Sequence, residues 1–263
     1  MTPQSFAIVG LVVSLAALCA SPAQAQTTLT QTKAKDGLGG CDTPGFPITI
    51  CKSGSYKLTG KLTVPNSNTD GIVIAASHVT IDLNGFAILG TTDCSGGLNP
   101  CAGAGSGAGI TTLGEFHFNI TIRNGTVQGM GSTGVNLHGD SNVVEHLHVR
   151  SNGSGGVLLA QSLDFGSSMI QYTTAQRNGG NGLFVDRGSV RHCVSDVNEA
   201  AGIWVGLGNA SFNVATRNSV GLQLGAAASY IGNVLRENST SVSGGVNLGQ
   251  NLCHPTVCPG AQF

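Results

Sequence analysis

The chain has 263 residues, a formal net charge of −1, 10% charged and 5% aromatic residues, and 40 glycines. A charge balance this close to zero excludes the basic footprint of a nucleic-acid binder. Abundant glycine beside 40% hydrophobic residues describes a chain that turns often and fills a narrow interior with small aliphatics.

Residues 1–25 carry an apolar run from Phe6 to Ala20 and end in Ala23-Gln24-Ala25. This reads as a signal peptide with a small-x-small cleavage site, although no Lys or Arg precedes the run. The run is short for a membrane span, which needs about 20 residues. The expectation is a secreted or periplasmic protein with no membrane span after cleavage. Residues 26–70 are expected to be an N-terminal cap, with PITICKSGSYKLTGKLTVP (47–65) as a first incomplete coil. A bare end of a stacked sheet would expose unpaired strand edges, so something must cover it.

From 71 to 250 one unit recurs, most cleanly as GIWVGLGNASFNVATRNSVG (202–221). Its opening glycines are Gly71, Gly109, Gly134, Gly156, Gly182, Gly202, Gly221 and Gly245. The first and third positions after each are aliphatic throughout, from Ile72 and Ile74 to Val246 and Leu248, except at Thr112. Alternation at period two means a strand with one buried face. An asparagine column, Asn84, Asn124, Asn152, Asn178, Asn198, Asn218 and Asn238, closes the units, and stacked amides can hydrogen-bond along the axis. A repeat of about 20 to 25 residues, rich in strand formers, predicts a solenoid in which each turn pairs with the next.

These strands, the turn asparagine, and segments such as VTIDLNGFAILG (79–90) and RNGGNGLFV (177–185) resemble the right-handed parallel β-helix proteins of the pectate lyase-like superfamily. The resemblance implies an all-β, right-handed, single-stranded parallel β-helix, here of about eight coils. It speaks weakly to function, since that superfamily includes lyases, hydrolases, epimerases, tailspikes and adhesins. The arginine-proline pattern of its pectate lyases, the paired aspartates and Gly-His-Gly of its polygalacturonases and the Asp-Pro-His motif of its alginate epimerases are not found here.

Residues 91–108 form a glycine-rich insertion, and 251–263 a C-terminal cap with Cys253, Pro255, Cys258 and Pro259. Close spacing pairs Cys41 with Cys51, Cys94 with Cys101 and Cys253 with Cys258 as disulfides of an oxidising compartment. The spacings do not suit a zinc site. Cys193 is left over as a small hydrophobe inside a strand.

Function must come from outward positions. The position between the two inward aliphatics places Leu158, Phe184 and Trp204 on successive coils, about 4.8 Å apart. Such a stripe can stack on sugar rings, or bury against another subunit in an oligomer. A row of arginines, Arg123, Arg177 and Arg217 with Arg150 and Arg236, would suit the carboxylates of an acidic polysaccharide. The third constellation is His138, Asp140, Glu145, His146, His148 and Arg150 in one coil, with Asp186 in the column of His138. It would supply a base and a charge neutraliser for β-elimination or epimerisation of a uronate. The His-x-His pair also leaves calcium or another divalent metal open, although no cofactor is evident. The favoured reading is an exported β-helix that binds a polysaccharide without a recognised catalytic motif. The alternatives are a divergent polysaccharide lyase, epimerase or glycoside hydrolase, and a structural or adhesive surface protein.

Overall fold

Each Gly-aliphatic-x-aliphatic segment becomes a short strand whose two aliphatics turn inward. Ile72 and Ile74, Val135 and Leu137, Leu183 and Val185, and Ile203 and Val205 are all buried. Parallel register stacks them: Ile72 on Ile48, Ile110 on Ile72, Val135 on Ile110, Val157 on Val135, Leu183 on Val157, Ile203 on Leu183 and Leu222 on Ile203. Burying each such side chain stabilises the fold by about 1.5–3 kcal/mol. The computed structural model describes residues 26–93, 105–114, 117–161 and 166–260. The expected signal peptide and the Cys94–Cys101 bridge lie outside these residues.

Every rung has three faces. In the cleanest one, Ala201–Ser211 bends to serve the first and second faces, Val214–Thr216 forms the third, and Val220–Leu224 begins the next rung. Repetition gives an all-β parallel β-helix of about nine turns. The count exceeds eight because Ile48–Ile50, Gly54–Leu58 and Leu62–Thr63 make a full three-sided turn that no glycine announces. Ahead of it, strand Thr27–Leu29 pairs with Tyr56–Leu58, and helix Gln31–Asp36 tucks Ala34 into the core. Thr30 starts that helix by accepting the Lys33 N–H at 3.0 Å. The Cys41–Cys51 and Cys253–Cys258 disulfides are formed near the two ends of the described coil.

Two corners of the coil are single left-handed residues. Between third and first faces these are Ser151, Arg177, Val197, Arg217 and Glu237, with φ between 53° and 55°. A left-handed β-branched residue such as Val197 is strained by roughly 1–2 kcal/mol. The next residue in each rung offsets that strain: Asn152, Asn178, Asn198, Asn218 and Asn238 point inward and form a buried amide ladder. Their Nδ2-to-Oδ1 bonds are 3.0, 2.9, 3.0 and 3.1 Å long. Each Oδ1 also accepts the backbone N–H of the preceding asparagine in the stack.

The structure corrects the sequence expectation at three places. Asn84 and Asn124 do not join this ladder; they are exposed left-handed residues at the other corner, between the second and third faces. A second ladder was missed there, Asn213–Asn233–Asn251, with amide bonds of 3.0 Å at both steps. Gly245 opens no rung. Thr240–Ser243 is the ninth first-face strand, with Val242 stacked on Leu222, so Val246 and Leu248 are 49% and 54% exposed. Gly244 and Gly245, with φ of 79° and 75°, instead make the turn that follows this strand.

Candidate functional site

The first face carries an outward column of Asn136, Leu158, Phe184, Trp204 and Gln223 in direct register. Leu158, Phe184 and Trp204 are therefore neighbours, as the spacing predicts, but none of them is fully exposed. Phe184 and Trp204 stack with ring centroids 4.0 Å apart and planes within 3° of parallel. Since the rungs also stack in that direction, the ring planes lie across the helix axis. The stripe therefore does not present a run of ring faces to a ligand lying along the axis. One face of the indole is covered by Phe184, and the other looks towards the rung of Gln223.

Gly206 lies where the indole edge arrives. A Cβ there would first clash with the backbone carbonyl of Asp186 on the neighbouring rung, and would also meet Trp204 Cη2 and Asp186 Oδ1 at 3.0 Å, so the missing side chain lets the rungs, the ring edge and the carboxylate come together. Asp186 is exposed, and its carboxylate makes no hydrogen bond or ion pair among the described residues. His138 lies in the same column, with Ala160 between, about 10 Å away along the axis. Its ring has no hydrogen-bond partner among the described residues, while its backbone N–H donates to Thr112 Oγ1 at 2.9 Å.

The other members of the expected histidine and carboxylate cluster are spread around the rung. Asp140 sits in the turn after the first face, where its carbonyl accepts the Asn119 N–H and the residue has a further contact. Glu145 ends the second-face segment and accepts from Gln171 Nε2 at 2.7 Å. His146 occupies the left-handed corner with φ of 52°, in register with Asn124. Its ring stacks on Tyr172, which stacks on His192, which stacks on Phe212, at centroid distances of 5.0, 5.3 and 5.5 Å. His148 and Arg150 face out from the third face, in a shallow groove with Thr126, Thr174 and Gln176. His146 and His148 thus do not share a face, because the corner residue between strands breaks the alternation. Among the described residues, no group of three or more His, Cys, Asp or Glu is arranged to hold a metal ion.

The arginine row also separates. Arg123 stacks between Asp82 and Glu145 on the second face, with its Nε 3.3 Å from Asp82. Arg150 belongs to the third face, where its Nε donates to Gln128 at 2.9 Å. Arg177 and Arg217 are corner residues two rungs apart, with Val197 between them. Arg217 grips Asp196 through two bonds, Nε at 2.9 Å and Nη2 at 2.6 Å. Burial works to raise the Asp196 carboxyl, but hydrogen bonds from Arg217, Thr216 and Gln176 outweigh it and hold the group below the usual carboxylate range. Cys193 is buried at the head of the second ladder, where its backbone N–H donates to Asn213; burial pushes its thiol up to about 12. It is therefore a neutral core side chain at physiological pH.

The missed feature of this surface is Asp186 beside Gly206 and Trp204. The available signal was the run Trp204-Val205-Gly206 one coil after Phe184-Val185-Asp186, which sets a side-chain-free position beside a carboxylate.

No helix among the described residues is long and apolar enough to cross a membrane. No curated protein matches the chain. Among solved structures, the crystal structure of pectate lyase Pel9A aligns over 87% of this chain with a TM-score of 0.49 and 16% identity. The chain spans 66% of that protein's length. A family model described as "right handed beta helix region" matches residues 50–239. With well over half its length matched and a parallel three-faced coil throughout, the chain belongs to the right-handed β-helix family.

Proposed function

We propose that this is an exported β-helix protein that binds a polysaccharide on the outside of its first face, where the partly exposed edge of the Phe184–Trp204 stack packs against a sugar. The observation that carries this reading is the Phe184–Trp204 stack with Asp186 beside it. An aromatic stack flanked by polar groups matches both the apolar patches and the hydroxyl edges of a sugar. Export is supported by the signal-like residues 1–25 and by two disulfides, which persist in oxidising compartments. The dispersal of Glu145, His146, His148 and Arg150 over the second face, a corner and the third face gives no support to a uronate lyase or epimerase centred on them.

The test uses residues 26–263 with a panel of neutral and acidic glycans. Trp204 is the sole tryptophan, so its fluorescence reports directly on the platform. A saturable shift in its emission, lost in Phe184→Ala, supports the reading. Silence towards every glycan, together with elution as an oligomer, would instead assign the stripe to an interface between subunits. Accumulation of ultraviolet-absorbing unsaturated products would replace binding by lyase chemistry.

A further inference from the structure

Resting on that reading, we infer that the ligand of the Trp204 site is a neutral glycan, selected against uronates by Asp186. On the second and third faces, Arg123, Glu145, Arg150, Arg191, Asp196 and Arg217 are each held by a side chain one rung away. The two outward columns of the first face, from Asn136 to Gln223 and from His138 to Gly206, contain no Lys or Arg. Their ionisable members are His138 and Asp186. Arg187, next to Asp186 in sequence, has a contact of its own.

Asp186 is also the group that reaches the platform. Its Oδ1 and the indole Cη2 both lie 3.0 Å from the point where a Gly206 Cβ would stand, so the carboxylate is within about 6 Å of the ring edge against which a sugar would pack. A carboxylate only accepts hydrogen bonds, and two vicinal hydroxyls of a neutral sugar can both donate to it as charge-assisted bonds. A uronate at the same place would bring a second carboxylate towards the first, with no Lys or Arg in either column to separate them. The first face therefore favours hydroxyl-rich neutral chains. This inverts the preference that an arginine row would have given, because that row does not exist on this face.

The experiment titrates the wild-type protein, residues 26–263, with neutral oligomers of glucose, xylose, mannose and galactose and with oligogalacturonate and oligoalginate, following Trp204 emission and calorimetric heat. At least one neutral oligomer is expected to bind at least tenfold more tightly than either uronate. Asp186→Asn, at an exposed position and verified as folded by circular dichroism, should weaken the neutral oligomer about tenfold and narrow its advantage over the uronates. Tighter binding of oligogalacturonate or oligoalginate would overturn the neutral assignment and leave the platform standing. Neutral binding that Asp186→Asn does not alter would overturn the role of Asp186. If no glycan changes Trp204 emission or releases heat, the platform reading itself falls.

Discussion

On the third face, one group of side chains that neighbour one another across rungs hold each other. Arg150 donates to Gln128, Gln176 to Asp196, and Thr216 to Asp196, which also receives Arg217 from the adjoining corner. On the first face, Asp186 has Ala160 on one side and Gly206 on the other, and His138 stands apart with the same alanine as its neighbour. Both faces are parallel sheets with rungs about 4.8 Å apart, so two polar side chains in one column are close enough to bond or repel. On the third face Arg150, Gln176, Asp196 and Thr216 are held by side chains one rung away, while His148 and Arg236 carry no side-chain bond among the described residues; the first face leaves a carboxylate and an imidazole without one and has no arginine or lysine in their columns. The contrast shows that charge count says little about a binding surface in such a coil; what matters is which charges lack a neighbour.

Variants at the boundary of the two faces should have the largest effect. Asn198 donates to Asn218 and Ser195 and accepts two bonds from Asn178, all buried. Asn198→Leu strands several of these groups, and a loss on the order of 3 kcal/mol or more is expected in urea unfolding. If it fell below about 1 kcal/mol, the ladder would not be what holds the left-handed corner. Next, Trp204→Ala should weaken glycan binding by tenfold or more, about 1.4 kcal/mol by calorimetry, and leave the unfolding transition cooperative.

The pairing on the third face has a pH signature. The folded carboxyl of Asp196 lies below its unfolded value of about 3.9, so its stabilisation is present above that pH and is lost as pH falls towards the lower folded value. Asp196→Asn should therefore reduce stability by about 1 kcal/mol near neutrality, a figure kept small because Arg217 is half exposed, and the difference from wild type should vanish in acid. The smallest effect is expected for Arg150→Ala, within about 0.5 kcal/mol in stability and with unchanged glycan affinity. A clear loss of affinity in Arg150→Ala would erase the distinction between the faces.

The sequence was most legible where each turn has the same length. Asn178, Asn198, Asn218 and Asn238 follow one another at 20 residues, and the structure stacks all four. Asn84 and Asn124 come from rungs of other lengths, and counting from the opening glycine put them at the wrong corner. The arginine row failed similarly. Arg123 and Arg177 each precede an asparagine, but one asparagine is an exposed corner residue and the other an inward ladder residue. The second ladder shows the reverse case: Asn213 and Asn233 also lie 20 residues apart, but no opening glycine marks their corner.

Period-two burial is a property of a single strand, so the sequence by itself determined the inward half of this protein. That half includes the aliphatic pairs of the first face, the parallel coil they require, and the Cys41–Cys51 and Cys253–Cys258 partners, which are close along the chain. The outward half depends on lateral neighbours, and these are set by how many residues each rung spends in its turns. Register across rungs is a tertiary quantity. It separated His146 from His148, dispersed the arginines, turned the Phe184 and Trp204 rings face to face, and left Asp186 beside the indole with no partner from its own sheet.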